Sequence, residues 1–187
     1  ECFAAFGVII QPAEKRFPVF CQQPREIGHR PDRTRWITEI KEFFFLFSEN
    51  RQIIIADPTF VIIENTAIRY AQELLKVKLS EPKFKFPINI IEGELTKPTL
   101  LVLDNPNNPT GNLIVTKTEI ESLLRNENVI ILIDEAYFEF SNITFISLIK
   151  KFNNIAIVRT LSKSFGLAGA GIGYLLAGTD IRKKFEG

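Results

Sequence analysis

Three short stretches of this chain carry side chains with chemistry to offer, and each begins where an apolar run stops. Asn105-Pro-Asn-Asn-Pro-Thr-Gly111 follows Thr99 to Leu103, Asp134-Glu-Ala-Tyr137 follows Val129 to Ile133, and Thr160-Leu-Ser-Lys163 follows Ile155 to Val158. Taken singly, each has an ordinary explanation. Asn, Pro and Gly are the usual turn residues, an aspartate at a strand end can cap a helix, and most lysines are solvated surface groups. Taken together, they put an amide, a carboxylate, a phenol and a lysine amine at neighbouring strand ends, a set that makes sense around one bound cofactor. Random surface placement does not explain it.

The elements that would position them are legible in the apolar pattern. Ile53 to Ala56 form a short apolar run broken by Asp57 and Pro58, after which Ile63, Ala67, Tyr70, Ala71 and Leu74 recur at helical spacing. A proline-bearing stretch around Pro82 and Pro87 leads to the Thr99 run. Thr116 and Glu119 then form a capping-box pair, Ile120, Leu123 and Leu124 supply one helix face, and Asn126 to Asn128 close it. A further helix is expected from Thr144 to Phe152. Strands apolar on both faces, alternating with helices, predict an α/β fold: a mainly parallel sheet sandwiched by helices, with ligands beyond the carboxyl ends of the strands.

Composition narrows the function classes. With 23 Lys plus Arg against 22 Asp plus Glu, the chain has no charge excess with which to hold nucleic acid. Its 45% hydrophobic and 24% charged residues suit a packed core. No apolar run approaches the length of a membrane span, since Phe43 to Phe47 are flanked by Glu42 and Glu49. Cys2, Cys21 and the single His29 are too few for a disulfide framework or a zinc site, so no metal is expected and a reducing, cytoplasmic setting is the default. Methionine is absent while Phe occurs 17 times, the pattern expected of a sequence from which residues have been left out.

The three stretches, with the last extended through Thr160-Leu-Ser-Lys-Ser-Phe-Gly-Leu-Ala-Gly169, resemble in order the signatures of pyridoxal-phosphate-dependent aminotransferases of fold type I. The likeness covers roughly Ile53 to Gly178. Asp-Glu-Ala-Tyr-Phe-Glu-Phe140 and the lysine stretch are most similar to the histidinol-phosphate aminotransferases. The resemblance implies pyridoxal 5'-phosphate as cofactor, with Lys163 as the catalytic amine that bonds its aldehyde and then moves the substrate proton. By the same resemblance Asp134 pairs with the ring nitrogen, Tyr137 and Asn108 contact the ring 3'-oxygen, Phe60 stacks on the ring face, and Thr160 and Ser162 meet the phosphate. It further implies an amino donor, a 2-oxo acid acceptor such as 2-oxoglutarate, and a homodimer.

Two departures stand against that pattern. Gly171 occupies the place of the family's phosphate-binding arginine, and Thr38-Glu-Ile-Lys-Glu-Phe43 falls where the family carries a small-residue turn. The expected division is an N-terminal arm over residues 1–35, a cofactor-binding large domain over 36–180, and over 181–187 the start of a helix leading to a C-terminal small domain. Other readings of the same residues are a threonine-phosphate-type decarboxylase, a broad amino-acid aminotransferase, or a catalytically impaired binding homologue. A nicotinamide dehydrogenase is weaker, because Gly166-Leu-Ala-Gly-Ala-Gly171 is a glycine cluster without the strand and acid in the right order.

Overall fold

A computed structural model describes residues 35–186; the proposed arm, with Cys2, Cys21 and His29, lies outside the described residues. Six strands form one sheet in the order β2-β1-β3-β4-β5-β6. They are β1 (Gln52–Asp57), β2 (Leu74–Lys78), β3 (Thr99–Asp104), β4 (Val129–Asp134), β5 (Ile155–Thr160) and β6 (Gly173–Ala177). Pairing is parallel from β2 through β5 and antiparallel between β5 and β6. The predicted mainly parallel, helix-covered sheet is therefore the one observed.

Alternation along each strand divides the core in two. Ile53, Ile55, Leu100, Val102, Leu132, Ala156 and Val158 face one layer, which contains Ile40, Phe43, Phe44 and Phe47 of α1 (Arg35–Phe47) and Ile63 and Ala67 of α2 (Val61–Tyr70). Ile181 and Phe185 of α6 (Thr179–Glu186) are buried in the same layer. Ile54, Leu101, Leu103, Ile131, Ile133, Ile155 and Ile157 face the other. There Ile91 of α3 (Ile88–Glu94) and Ile120, Leu123 and Leu124 of α4 (Lys117–Leu124) close over them. The capping box is present as expected: Glu119 N–H donates to the Thr116 hydroxyl at 3.3 Å and Thr116 N–H to the Glu119 carboxylate at 2.6 Å. No helix among the described residues is long and apolar enough to cross a membrane.

Two local expectations are corrected, for Leu74 and for Thr144–Phe152, and two features the sequence reading did not address are added. The helix after β1 ends at Tyr70, and Leu74 opens β2 instead of continuing the helical face. That strand lies at the sheet edge, where Lys76 and Lys78 alternate outward. The proline-bearing stretch contains α3, which local periodicity did not reveal. The helix expected over Thr144–Phe152 is a five-residue 3-10 turn, Ile146–Lys150. Its start is pinned by Glu135, whose carboxylate accepts the Phe145 N–H at 2.7 Å. Finally, β6 runs back antiparallel because the Leu161–Ile172 connection contains no crossover helix and returns to the end it left, with Leu161 N–H bonding Ile172 O at 3.0 Å.

Candidate functional site

The carboxyl ends of β3, β4 and β5 lie side by side, with Asp104 in register with Asp134 on the neighbouring strand. At the end of β3 the buried Asp104 carboxylate gathers two loops. One oxygen accepts the Thr59 hydroxyl at 2.8 Å and the Asn107 side-chain amide at 3.0 Å. The other accepts the Asn108 N–H at 2.7 Å and the Phe60 N–H at 3.2 Å. Burial raises the Asp104 proton affinity, and the Asn108, Thr59 and Asn107 donors oppose it. Asn107 also donates to Pro58 O at 3.0 Å and accepts the Thr110 hydroxyl at 2.7 Å. The loop closes through Gly111, whose φ of +73° suits glycine, with its N–H on Asn107 O at 2.8 Å.

Two adjacent acids at the end of β4 meet opposite fates. Asp134 is buried and accepts one hydrogen bond, from Ala136 N–H at 2.9 Å. Its carboxyl is pushed up to about 8, chiefly by burial and then by the charges of Asp104 and Glu135, while the Ala136 N–H and the Lys163 charge draw it down. Glu135 points away into a satisfied clasp, accepting Arg159 Nε at 2.9 Å and Nη2 at 2.7 Å, the Thr144 hydroxyl at 2.9 Å and the Phe145 N–H. Burial raises Glu135 as well, opposed first by Phe145 N–H and then by Arg159. The Arg159 guanidinium lies 3.7 Å from the centroid of the Phe138 ring, on the short helix α5 (Phe138–Ser141) that starts just after Tyr137. The clasp thus joins the ends of β4 and β5 to the segment that carries the phenol.

At the end of β5, Thr160 braces the turn: its hydroxyl donates to Ile172 O at 3.1 Å and accepts the Ser162 N–H at 3.1 Å. Ser162 Oγ is buried with no hydrogen-bond partner. Lys163 is exposed, with Nζ 5.5 Å from the centroid of the Tyr137 ring. Gly171 ends the 3-10 turn Ala168–Ala170 at a φ of +60°, a conformation that an arginine there would adopt only with strain.

Phe60, Asn108, Asp134 and Tyr137 line one narrow cleft, together with Asp104, Pro106 and Ala136. Pro106, Asn108 and Tyr137 also border a larger cavity of about 840 Å³ that carries Lys83 and Lys85 on its wall. The structure therefore brings four of the seven residues singled out from sequence into one cleft, sets Lys163 beside Tyr137, and leaves Thr160 and Ser162 at the next strand end. No group of His, Cys, Asp or Glu suited to a metal occurs among the described residues. Sequence reasoning missed the organising roles of Asp104, Glu135 and Arg159. For Asp104 the available signal was an acid ending a fully apolar run, as Asp134 does.

A family model described as aminotransferase class I and II matches residues 38–186. The histidinol-phosphate aminotransferase of Sulfurisphaera tokodaii is 35% identical over 145 residues, covering 75% of this chain and 41% of that protein. Among solved structures, the histidinol-phosphate aminotransferase from Clostridium acetobutylicum superposes with a TM-score of 0.71 at 25% identity, covering 82% of this chain and 46% of that one. The L-threonine-O-3-phosphate decarboxylase from Porphyromonas gingivalis does so with a TM-score of 0.68 at 26% identity, covering 81% and 47%. The chain spans less than half the length of each of these proteins.

Proposed function

The chain belongs to the aminotransferase class I and II family, and from that membership we propose that it binds pyridoxal 5'-phosphate and serves a transamination between histidinol phosphate and 2-oxoglutarate. Asp134 carries the reading. A carboxyl buried at a strand end beside the charges of Asp104 and Glu135, accepting a single N–H, is pushed up to about 8 even though the Lys163 charge draws it down, so a further cation against it is what would keep it ionised. A protonated pyridine nitrogen is such a cation, and the unpartnered Ser162 Oγ is the kind of hydroxyl a phosphate oxygen would satisfy. The residues present fit the group.

In this reading Lys163 holds the cofactor aldehyde, Asp134 the ring nitrogen, Asn108 and Tyr137 the 3'-oxygen, Phe60 the ring face, and Ser162 the phosphate. Thr160 spends its hydroxyl on the turn and so shapes the phosphate cradle chiefly by holding Ser162 N–H. When bound, pyridoxal phosphate supplies the electron sink for charge left at the substrate α-carbon. The Lys163 amine would be the base that moves the proton at that carbon. Asp134 keeps its charge against the ring nitrogen throughout. Residues 36–180 form the cofactor-binding domain, and a second copy of the chain completes the site in a homodimer.

Addition of pyridoxal phosphate should give a visible absorption band, and borohydride reduction followed by peptide mapping should label Lys163. A label on another lysine would overturn the assignment. Histidinol phosphate with 2-oxoglutarate should then be the fastest pair. The second reading, decarboxylation of a phosphorylated amino acid, draws support from the likeness to the P. gingivalis decarboxylase; carbon dioxide released from threonine phosphate would select it. A protein that takes up cofactor and turns over neither substrate would instead be the impaired binding homologue.

A further inference from the structure

We propose that Asp104 is a positioning residue for the cofactor ring: one buried carboxylate sets, at the same time, the loop that presents Asn108 and the loop that presents Phe60. This rests on the cofactor reading above and extends it to a residue that touches no part of the bound molecule in that reading. The two loops follow different strands, β1 and β3, so no local sequence preference can adjust them to each other. Asp104 does so through four donors, two on each oxygen.

The two sides of the carboxylate are not equivalent. The Phe60 and Asn108 peptide N–H groups can only donate, so they need an oxygen opposite them. On the other side the Thr59 hydroxyl can turn to accept, whereas the Asn107 amide is held by Pro58 O and Thr110 and cannot reverse without losing them. Asparagine at position 104 would keep its one oxygen on the peptide N–H groups and place its NH2 against Asn107. Alanine or serine would release both loops. The order of cofactor fixation should therefore be aspartate, then asparagine, then alanine or serine.

Bulk stability does not reveal this role, because any buried hydrogen-bonded acid lowers it when removed. The discriminating quantities are pyridoxal phosphate affinity and the induced visible circular dichroism of the loaded protein, which reports how firmly the ring is held in its asymmetric setting. Asp104→Ala, or Asp104→Ser should the alanine variant not fold, should bind roughly tenfold more weakly or worse, the scale of one charge-assisted hydrogen bond. It should also lose most of the visible ellipticity, with Asp104→Asn in between. In a Phe60→Leu/Asn108→Ala background the same Asp104 substitution should cost no further affinity, because the groups it positions are gone. Unchanged affinity and ellipticity in both the alanine and serine variants, or a full additional loss in the double-variant background, would overturn the role of Asp104. Wild-type protein that acquires no visible band with pyridoxal phosphate would overturn the cofactor reading and this inference with it.

Discussion

Replacing Asp134 by Asn should stabilise the cofactor-free protein at pH 8 and weaken its hold on pyridoxal phosphate. The structure supplies the reason for the first effect. Burial and the charges of Asp104 and Glu135 lift this carboxyl from 3.8 to about 8, so between those values the folded protein retains a proton that the unfolded chain has lost. Unfolding stability must then fall as pH rises, at up to about 1.4 kcal/mol per pH unit, on the order of 4 kcal/mol between pH 5 and pH 8. Asparagine has the same shape and no charge, so it removes this contribution. Urea unfolding of cofactor-free wild type and Asp134→Asn at several pH values would measure it as a difference that grows toward pH 8. Because Asp104 and Glu135 are present in both proteins, most of their own pH dependence cancels. With cofactor bound the order should reverse, since the ring cation compensates only the carboxylate. A wild type no less stable than the variant at pH 8, or a difference independent of pH, would refute the claim that burial and the charges of Asp104 and Glu135 raise the Asp134 carboxyl in the bare site.

Other substitutions probe the remaining parts. Lys163→Ala should abolish turnover while keeping noncovalent cofactor binding through Asp134, Tyr137 and Asn108, which equilibrium dialysis against activity would separate. Arg159→Met should cost about 3–5 kcal/mol in urea unfolding, since it strands the buried Glu135 carboxylate. Thr116→Ala should cost about 1 kcal/mol through loss of the capping box, with cofactor binding unchanged. Light scattering should find a homodimer; a monomer with full activity would refute that assembly.

What the sequence determined by itself was whatever rests on near neighbours. Fully apolar runs such as Leu100–Leu103 and Ile131–Ile133 can be satisfied only by burial on both faces, so they identify central parallel strands without any partner being known. The Thr116–Glu119 box is three residues long, and the three chemical stretches could be read because each is contiguous. Tertiary structure decided what depends on distant groups. Leu74 fits the phase of the preceding helix, yet pairing with Ile53 on β1 makes it the first residue of an edge strand. Thr144–Phe152 has helical composition, yet Glu135, nine residues upstream of Thr144, takes the hydroxyl and the following N–H and allows only a short 3-10 turn. Asp104 and Asp134 end similar runs and look alike in sequence. One received four donors from two loops and the other only one. That unequal supply of hydrogen bonds, set only when separate strand ends come together, makes Asp104 an organiser and leaves Asp134 in need of a cation.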